Sequence, residues 1–192
     1  MKKIILILFI SISSLLSAQT TKNNKFQIGL GFKSPFLIEN SDGFDNNKFI
    51  FVLPIPFLNI SLNFKYNLDS NYSLRGKIGY AIPVFYYNGL EFGISVEYLF
   101  KNNFYTTLGF LQHNNGGNTD EGWLAVNIPF VDIGAGYQFG KSFSVEVVYF
   151  YPIKEAVYWN GSENAPYEKN PKYMRKIESM ISLNFILVWD LF

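Results

Sequence analysis

The sequence predicts an all-β fold, an eight-stranded antiparallel up-and-down transmembrane β-barrel. Three observations carry that expectation. Apolar and polar residues alternate with a period of two along most of the chain, which is the mark of a strand with two unlike faces. The alternating segments number eight. Aromatic residues reach 19% while charged residues are held to 16%, against about 25% charged in an average soluble domain.

The chain opens MKKIILILFISISSLLSAQ. Two lysines, an apolar run from Ile4 to Leu16 and small residues ahead of Gln19 form the layout of a secretory signal peptide, with cleavage expected after Ala18. The run of 13 residues falls short of the ~20 that cross a bilayer as a helix. Residues 1–18 are therefore read as a signal peptide and residues 19–192 as one barrel domain of 192 − 18 = 174 residues. There is no cysteine, which excludes a disulfide framework, a thiolate metal site and a lipid-modified N-terminal cysteine. A net charge of +1 without a basic cluster argues against a nucleic-acid partner. No cofactor or metal site is expected; the acidic stretch Glu39–Asp45 lacks the spacing of a calcium loop.

In chain order, the first strand, near 25–34, sets Phe26, Ile28, Leu30 and Phe32 against Gln27, Gly29, Gly31 and Lys33. The second, 50–66, sets Leu58, Ile60, Leu62, Phe64 and Tyr66 against Asn59, Ser61, Asn63 and Lys65. The third, 72–83, carries Tyr72, Leu74, Ile78 and Tyr80 opposite Ser73, Arg75, Lys77 and Gly79. In the fourth, 89–100, Phe92, Ile94, Val96, Tyr98 and Phe100 alternate with Glu91, Gly93, Ser95 and Glu97. The fifth, 104–112, has Phe104, Leu108 and Phe110 against Thr107 and Gly109. The sixth, 123–139, has Val131, Ile133, Tyr137 and Phe139 against Asp132, Gly134, Gly136 and Gln138. The seventh, 143–151, opposes Phe143, Val145, Val147 and Tyr149 to Ser144 and Glu146. The eighth, 175–192, opposes Ile181, Leu183, Phe185, Leu187 and Trp189 to Glu178, Ser182 and Asn184.

Three connections are tight and polar: Asn67–Asn71, Lys101–Asn103 and Gly140–Ser142. The other four, Pro35–Phe49, Val84–Asn88, Gln112–Gly122 and Pro152–Met174, are mostly longer. Short and long alternate strictly, so the tight turns gather at one end of the barrel and the long loops at the other. Volume orients the faces. Eight strands enclose an interior that side chains just fill, too narrow for some fifteen rings, so the aromatic face points outward and the Gly, Ser and charged face inward. An apolar exterior of that extent requires lipid. Tyr66, Tyr72, Phe100, Phe104, Phe139 and Phe143 flank the tight turns, and with Trp189 they form a girdle at headgroup level.

On these segments the chain resembles the small eight-stranded outer-membrane barrels, the class that includes the OmpA membrane domain and OmpX. The resemblance covers nearly all of the mature chain and rests on pattern, with the closing ISLNFILVWDLF and its Phe192 similar to the assembly signal that such barrels present. It implies the outer membrane of a Gram-negative bacterium, contact with outer-membrane lipid and lipopolysaccharide, insertion by the barrel assembly machinery, and a monomer.

Inward charges come near balance: Lys33, Lys65, Arg75, Lys77 and Lys176 against Glu91, Glu97, Asp132, Glu146, Glu178 and Asp190. Pairing the third and fourth strands about Tyr86 sets Arg75 opposite Glu97, and Lys77, Glu91, Glu146 and Asp132 complete a plug of ion pairs, since an unpaired charge there costs several kcal/mol. No catalytic residue is expected. His113-Asn114-Asn115-Gly116 resembles the His-x-Ser-Asn motif of outer-membrane lipid hydrolases but carries Asn115 in place of the nucleophile, and His113 is read as a solvated loop residue. Tyr158, Trp159 and Tyr167 in the last loop are candidate contacts for an extracellular ligand. The function expected is structural or adhesive, through surface loops; the alternatives are a narrow porin-like channel and a lipid hydrolase using His113.

Overall fold

The computed structural model describes residues 25–41, 49–52, 59–84, 87–115, 123–124, 127–159 and 174–191. Its strands are β1 (Phe26–Ser41), β2 (Phe49–Val52), β3 (Asn59–Asn67), β4 (Tyr72–Val84), β5 (Tyr87–Leu99), β6 (Phe104–Asn115), β7 (Trp123–Leu124), β8 (Ile128–Phe139), β9 (Phe143–Pro152), β10 (Ala156–Trp159) and β11 (Met174–Asp190). Eight of them, β1, β3, β4, β5, β6, β8, β9 and β11, pair in sequence order, and β1 pairs β11 to close the sheet on itself. All these pairings are antiparallel. A closed antiparallel sheet leaves no edge and satisfies its backbone without water, the condition for crossing hydrocarbon.

The ladder is staggered. From Gln27 it passes through Lys65, Arg75, Ser95, Gly109, Asp132, Phe150 and Met180 and returns to β1 at Leu37, a shear of 37 − 27 = 10 residues. With ~3.3 Å per residue and ~4.8 Å between strands, that stagger tilts the strands by about 40°. Every residue on this path faces inward, so it climbs the lumen from a charged end at Gln27, Lys65 and Arg75 to an apolar end at Phe150, Met180 and Leu37.

Local chemistry sets the tight turns. The Asp69 carboxylate accepts the backbone N–H of Asn71 and of Tyr72, each at 2.7 Å; these two donors hold its pKa below the usual aspartate value. The Lys101–Asn103 turn is one 3₁₀ turn in which Asn102 and Asn103 take φ of 78° and 64°, a region asparagine enters more readily than other side-chain-bearing residues.

Several boundaries differ from the sequence reading. The first strand does not stop at 34: β1 continues to Ser41 because β11 pairs it throughout, across one register shift between Ile38 and Glu39. Of the expected second strand, 50–66, the described residues form β2 and β3, while residues 53–58, Leu58 among them, lie outside the described residues. β1 pairs β3 as far as Lys33↔Asn59 and pairs β2 from Leu37↔Val52. The expected 123–139 strand likewise divides into β7 and β8, and β7 pairs β10 instead of joining the barrel. The Val84–Asn88 loop shrinks to residues 85–86, because β4 and β5 run on past a register shift to pair Val84 with Tyr87. Short and long connections therefore do not alternate strictly.

The faces fall as expected over most of the wall. Ile94, Leu108, Ile133 and Val147 stand 54%, 62%, 59% and 53% exposed. Tyr66, Tyr72, Phe100, Phe104 and Phe139 are exposed at the turn end and Phe143 and Trp189 half-exposed. Rings there touch edge to face: Tyr98 and Phe100 at 4.8 Å, Phe104 and Tyr137 at 4.9 Å, Tyr137 and Phe139 at 4.7 Å.

The inner face is less uniform than expected. Tyr87, Tyr105, Phe130 and Phe150 are buried inside the lumen, so rings are not confined to the outer wall. Glycines make the room: a Cβ at Gly136 would collide with the Tyr105 ring, and one at Gly93 would lie 3.2 Å from Leu111 Cδ1. Bulk on one strand is matched by its absence on the next.

Candidate functional site: the closed lumen

At the turn end the lumen opens as a vestibule of about 460 Å³ lined by Lys25, Gln27, Lys65, Asp69, Lys141 and Asp190 among others. Its floor is Gln27, whose Nε2 donates to Asp190 Oδ1 at 2.7 Å, and the Lys65–Glu97 ion pair.

Above it, Arg75 spans the axis. Its Nη2 lies 2.8 Å from Glu146 Oε2 and its Nη1 3.9 Å from Glu97 Oε2. Thr107 and Tyr105 hydroxyls donate to the other sides of Glu146, at 3.2 and 3.3 Å. The expected register is thus corrected: Ser95 stands opposite Arg75, and Glu97 stands opposite Ser73. The Arg75–Glu97 contact survives only as the longer arm, and the near partner comes from β9, across the barrel.

Higher still, Glu91 is a hub with no exposed surface. Oε1 accepts from Lys33 Nζ at 2.9 Å and from the Tyr87 hydroxyl at 2.7 Å; Oε2 accepts from Asn59 Nδ2 at 2.6 Å and Lys33 Nζ at 3.1 Å. Lys77 Nζ stands 3.6 Å from Oε2. Lys33 also lies over the Phe150 ring at 4.7 Å, a cation–π contact that helps offset desolvation.

Lumen charge balances, with Lys33, Lys65, Arg75 and Lys77 facing Glu91, Glu97, Asp132 and Glu146. Asp132 is the exception to the expected pairing. Among the described residues it makes no ion pair within 4.0 Å; it borders, with Arg75, Lys77 and Glu146, a cavity of about 50 Å³, room for a few waters. Lys176 and Glu178 are not lumen charges. They pair with each other at 3.4 Å at the loop-side rim, where Glu155 joins at 3.5 Å.

The loop end is sealed by hydrocarbon. Leu37, Tyr87, Leu111, Ile128, Phe130, Phe150, Ile177 and Met180 pack as one buried cluster. His113 belongs to this seal and is not solvated: it is wholly buried, stacked on Tyr87 at 4.0 Å and 13°, with Nδ1 3.7 Å from Glu91 Oε1. The reason is parity, since β6 extends to Asn115 and places His113 on its inward side opposite Glu91 and Ile128. Among the described residues neither ring nitrogen has a hydrogen-bond partner. Tyr158 and Trp159 lie on β10, paired with Leu124 and Trp123; Tyr167 and Phe192, like residues 1–18, fall outside the described residues.

The sequence reading missed Tyr87, Tyr105 and Asn59 as members of the network, although each lies at the inward parity of its strand. Among the described residues no group of three or more metal-ligating side chains forms, and no helix is long and apolar enough to cross a membrane.

No family model matches the chain, and no curated protein matches it. Among solved structures it is similar to the N-terminal β-barrel domain of Pseudomonas aeruginosa OprF, at 15% identity over 85% of this chain and 97% of that one, with a TM-score of 0.44. It is similar too to Neisserial surface protein A, at 11% identity over 87% of this chain and 97% of that one, also at 0.44.

Proposed function

We propose that the chain is an outer-membrane barrel with a closed lumen, serving a structural or surface-binding role through its loops. The closed lumen carries this reading. Four cations and four carboxylates fill its middle, a buried apolar cluster fills its loop end, and the cavity beside Asp132 is only about 50 Å³. Outside, the apolar wall takes lipid as its solvent, with lipopolysaccharide as the neighbour at the loop end and the barrel assembly machinery as the partner during insertion. Export by the signal peptide and a monomeric state belong to the same reading. An enzyme is disfavoured by His113, which has no access to a substrate while Tyr87 covers it.

The test is single-channel recording in planar bilayers alongside membrane fractionation and heat-modifiable gel migration. A folded, outer-membrane protein without resolvable conductance supports the reading. A steady ohmic conductance would favour a narrow channel, whose entrance the 460 Å³ vestibule supplies. Release of acyl chains from phospholipid would establish catalysis in its place.

A further inference from the structure

We propose that the vestibule at the turn end binds a phosphate ester of a small polyol, with the phosphate on the Lys25 and Lys141 ammonium groups. The vestibule is a blind cup. Its volume of about 460 Å³ lies within the roughly 300–1,000 Å³ of small-molecule pockets, and its floor is closed by the Gln27–Asp190 hydrogen bond and the Lys65–Glu97 ion pair. Three lysines line it, and they are not equivalent. Lys65 is engaged with Glu97. Lys25 and Lys141 are exposed, and among the described residues neither ammonium makes an ion pair or a hydrogen bond.

Two carboxylates share the lining, and each has one oxygen occupied. Asp69 Oδ1 accepts the N–H groups of Asn71 and Tyr72, and Asp190 Oδ1 accepts from Gln27 Nε2. Their second oxygens accept nothing among the described residues. An ammonium offers only donors and an ionised carboxylate only acceptors, so a ligand that serves both brings an anion and hydrogen-bond donors together. A bare anion is repelled by Asp69 and Asp190 without compensation, and a ligand ammonium is repelled by the lysines. Hydroxyls are therefore the donors that fit. Phosphate is the anion that suits lysine, a compact point charge. Leu68 and Leu99 lend the cup an apolar side for the carbon chain. Two sources carry this chemistry: a free glycerol or sugar phosphate, and the headgroup of a glycerol-bearing phospholipid, because the rings flanking the turns set the mouth at headgroup level. Binding here does not depend on whether the lumen conducts, which bilayer recording measures separately.

Titration calorimetry of the full barrel in phosphatidylcholine nanodiscs tests this, with glycerol 3-phosphate as the probe. The parent should give saturable binding, weaker binding of inorganic phosphate, and none of glycerol. Lys25→Ala and Lys141→Ala should each weaken glycerol 3-phosphate about tenfold, the scale of one hydrogen bond between charged groups, and Lys141→Arg should restore most of the loss. Lys101→Ala, in a tight turn outside the cup, should change nothing; heat-modifiable migration checks that each variant is folded. Repeating the titration in phosphatidylglycerol nanodiscs separates the sources. Loss of apparent affinity there assigns the cup to the lipid headgroup, and unchanged affinity assigns it to the free ester. Absence of saturable binding in the parent overturns the proposal, as does inorganic phosphate binding as tightly as the ester. An equal loss in Lys101→Ala also overturns it, since that would be diffuse surface charge.

Discussion

Arg75 and Glu146 face each other across the lumen from β4 and β9, with Nη2 and Oε2 2.8 Å apart, although 71 residues separate them in sequence (146 − 75). Every strand between them must be in register for the pair to form. The contact therefore reports on barrel closure as a whole.

Breaking it should be costly. Arg75→Glu leaves Glu146 and Glu97 without their shared cation and adds a third carboxylate, and removing one partner of a buried pair costs about 3–5 kcal/mol. Glu146→Arg in the Arg75→Glu background should recover a larger part of that loss than Glu97→Arg does, because Glu97 keeps Lys65 and sits 3.9 Å from the guanidinium. Urea unfolding in detergent micelles measures both; equal rescue by the two would contradict the geometry.

The Tyr105 ring lies where a side chain at Gly136 would go. Gly136→Ala should destabilise by about 1–3 kcal/mol, the usual result of overpacking. Combined with Tyr105→Ala, which empties the space, the second substitution should cost much less than it does alone. Additive losses would mean that the two positions do not share volume.

On the outer wall depth decides the outcome. Leu108 is 62% exposed and lies at mid-height, between Val96 and Ile133. Leu108→Arg should cost about 2–4 kcal/mol in a bilayer, whereas Phe104→Arg at the girdle should cost about 0–1 kcal/mol. A soluble barrel would show little difference between them. Equilibrium unfolding from lipid vesicles distinguishes the two cases.

The eight wall segments and the sense of each face were legible in sequence because a period of two survives wherever one face meets lipid and the other meets polar atoms. It weakened where both faces are apolar. Leu111, Phe130 and Phe150 point inward with the same chemistry as the residues pointing outward beside them, so the apolar seal carried no alternation to betray it. The ion network was legible in kind but not in partner. Counting from the β4–β5 turn placed Arg75 opposite Glu97 when its facing residue is Ser95, since the register depends on a shift near Ala81 that composition does not encode. Long side chains crossing the axis, as Arg75 does to Glu146, follow from the shear of the closed barrel and from nothing local. His113 was misplaced for a related reason: the strand that holds it runs three residues beyond where the alternation faded, from 112 to Asn115.

Asp69 offers a pH effect outside the membrane. Its pKa is held below the aspartate value by the N–H groups of Asn71 and Tyr72. A depressed folded-state pKa means that the stabilisation is present above the unfolded value of ~3.9 and lost as pH falls through the lower, folded value. The Asn71 and Tyr72 amide resonances should therefore shift together in an acid titration, with a midpoint below that of a model aspartate. Asp69→Asn, whose side-chain oxygen still accepts but does not titrate, should remove the transition while keeping the turn. A midpoint at or above the model value, or separate midpoints for the two amides, would show that the carboxylate does not hold both.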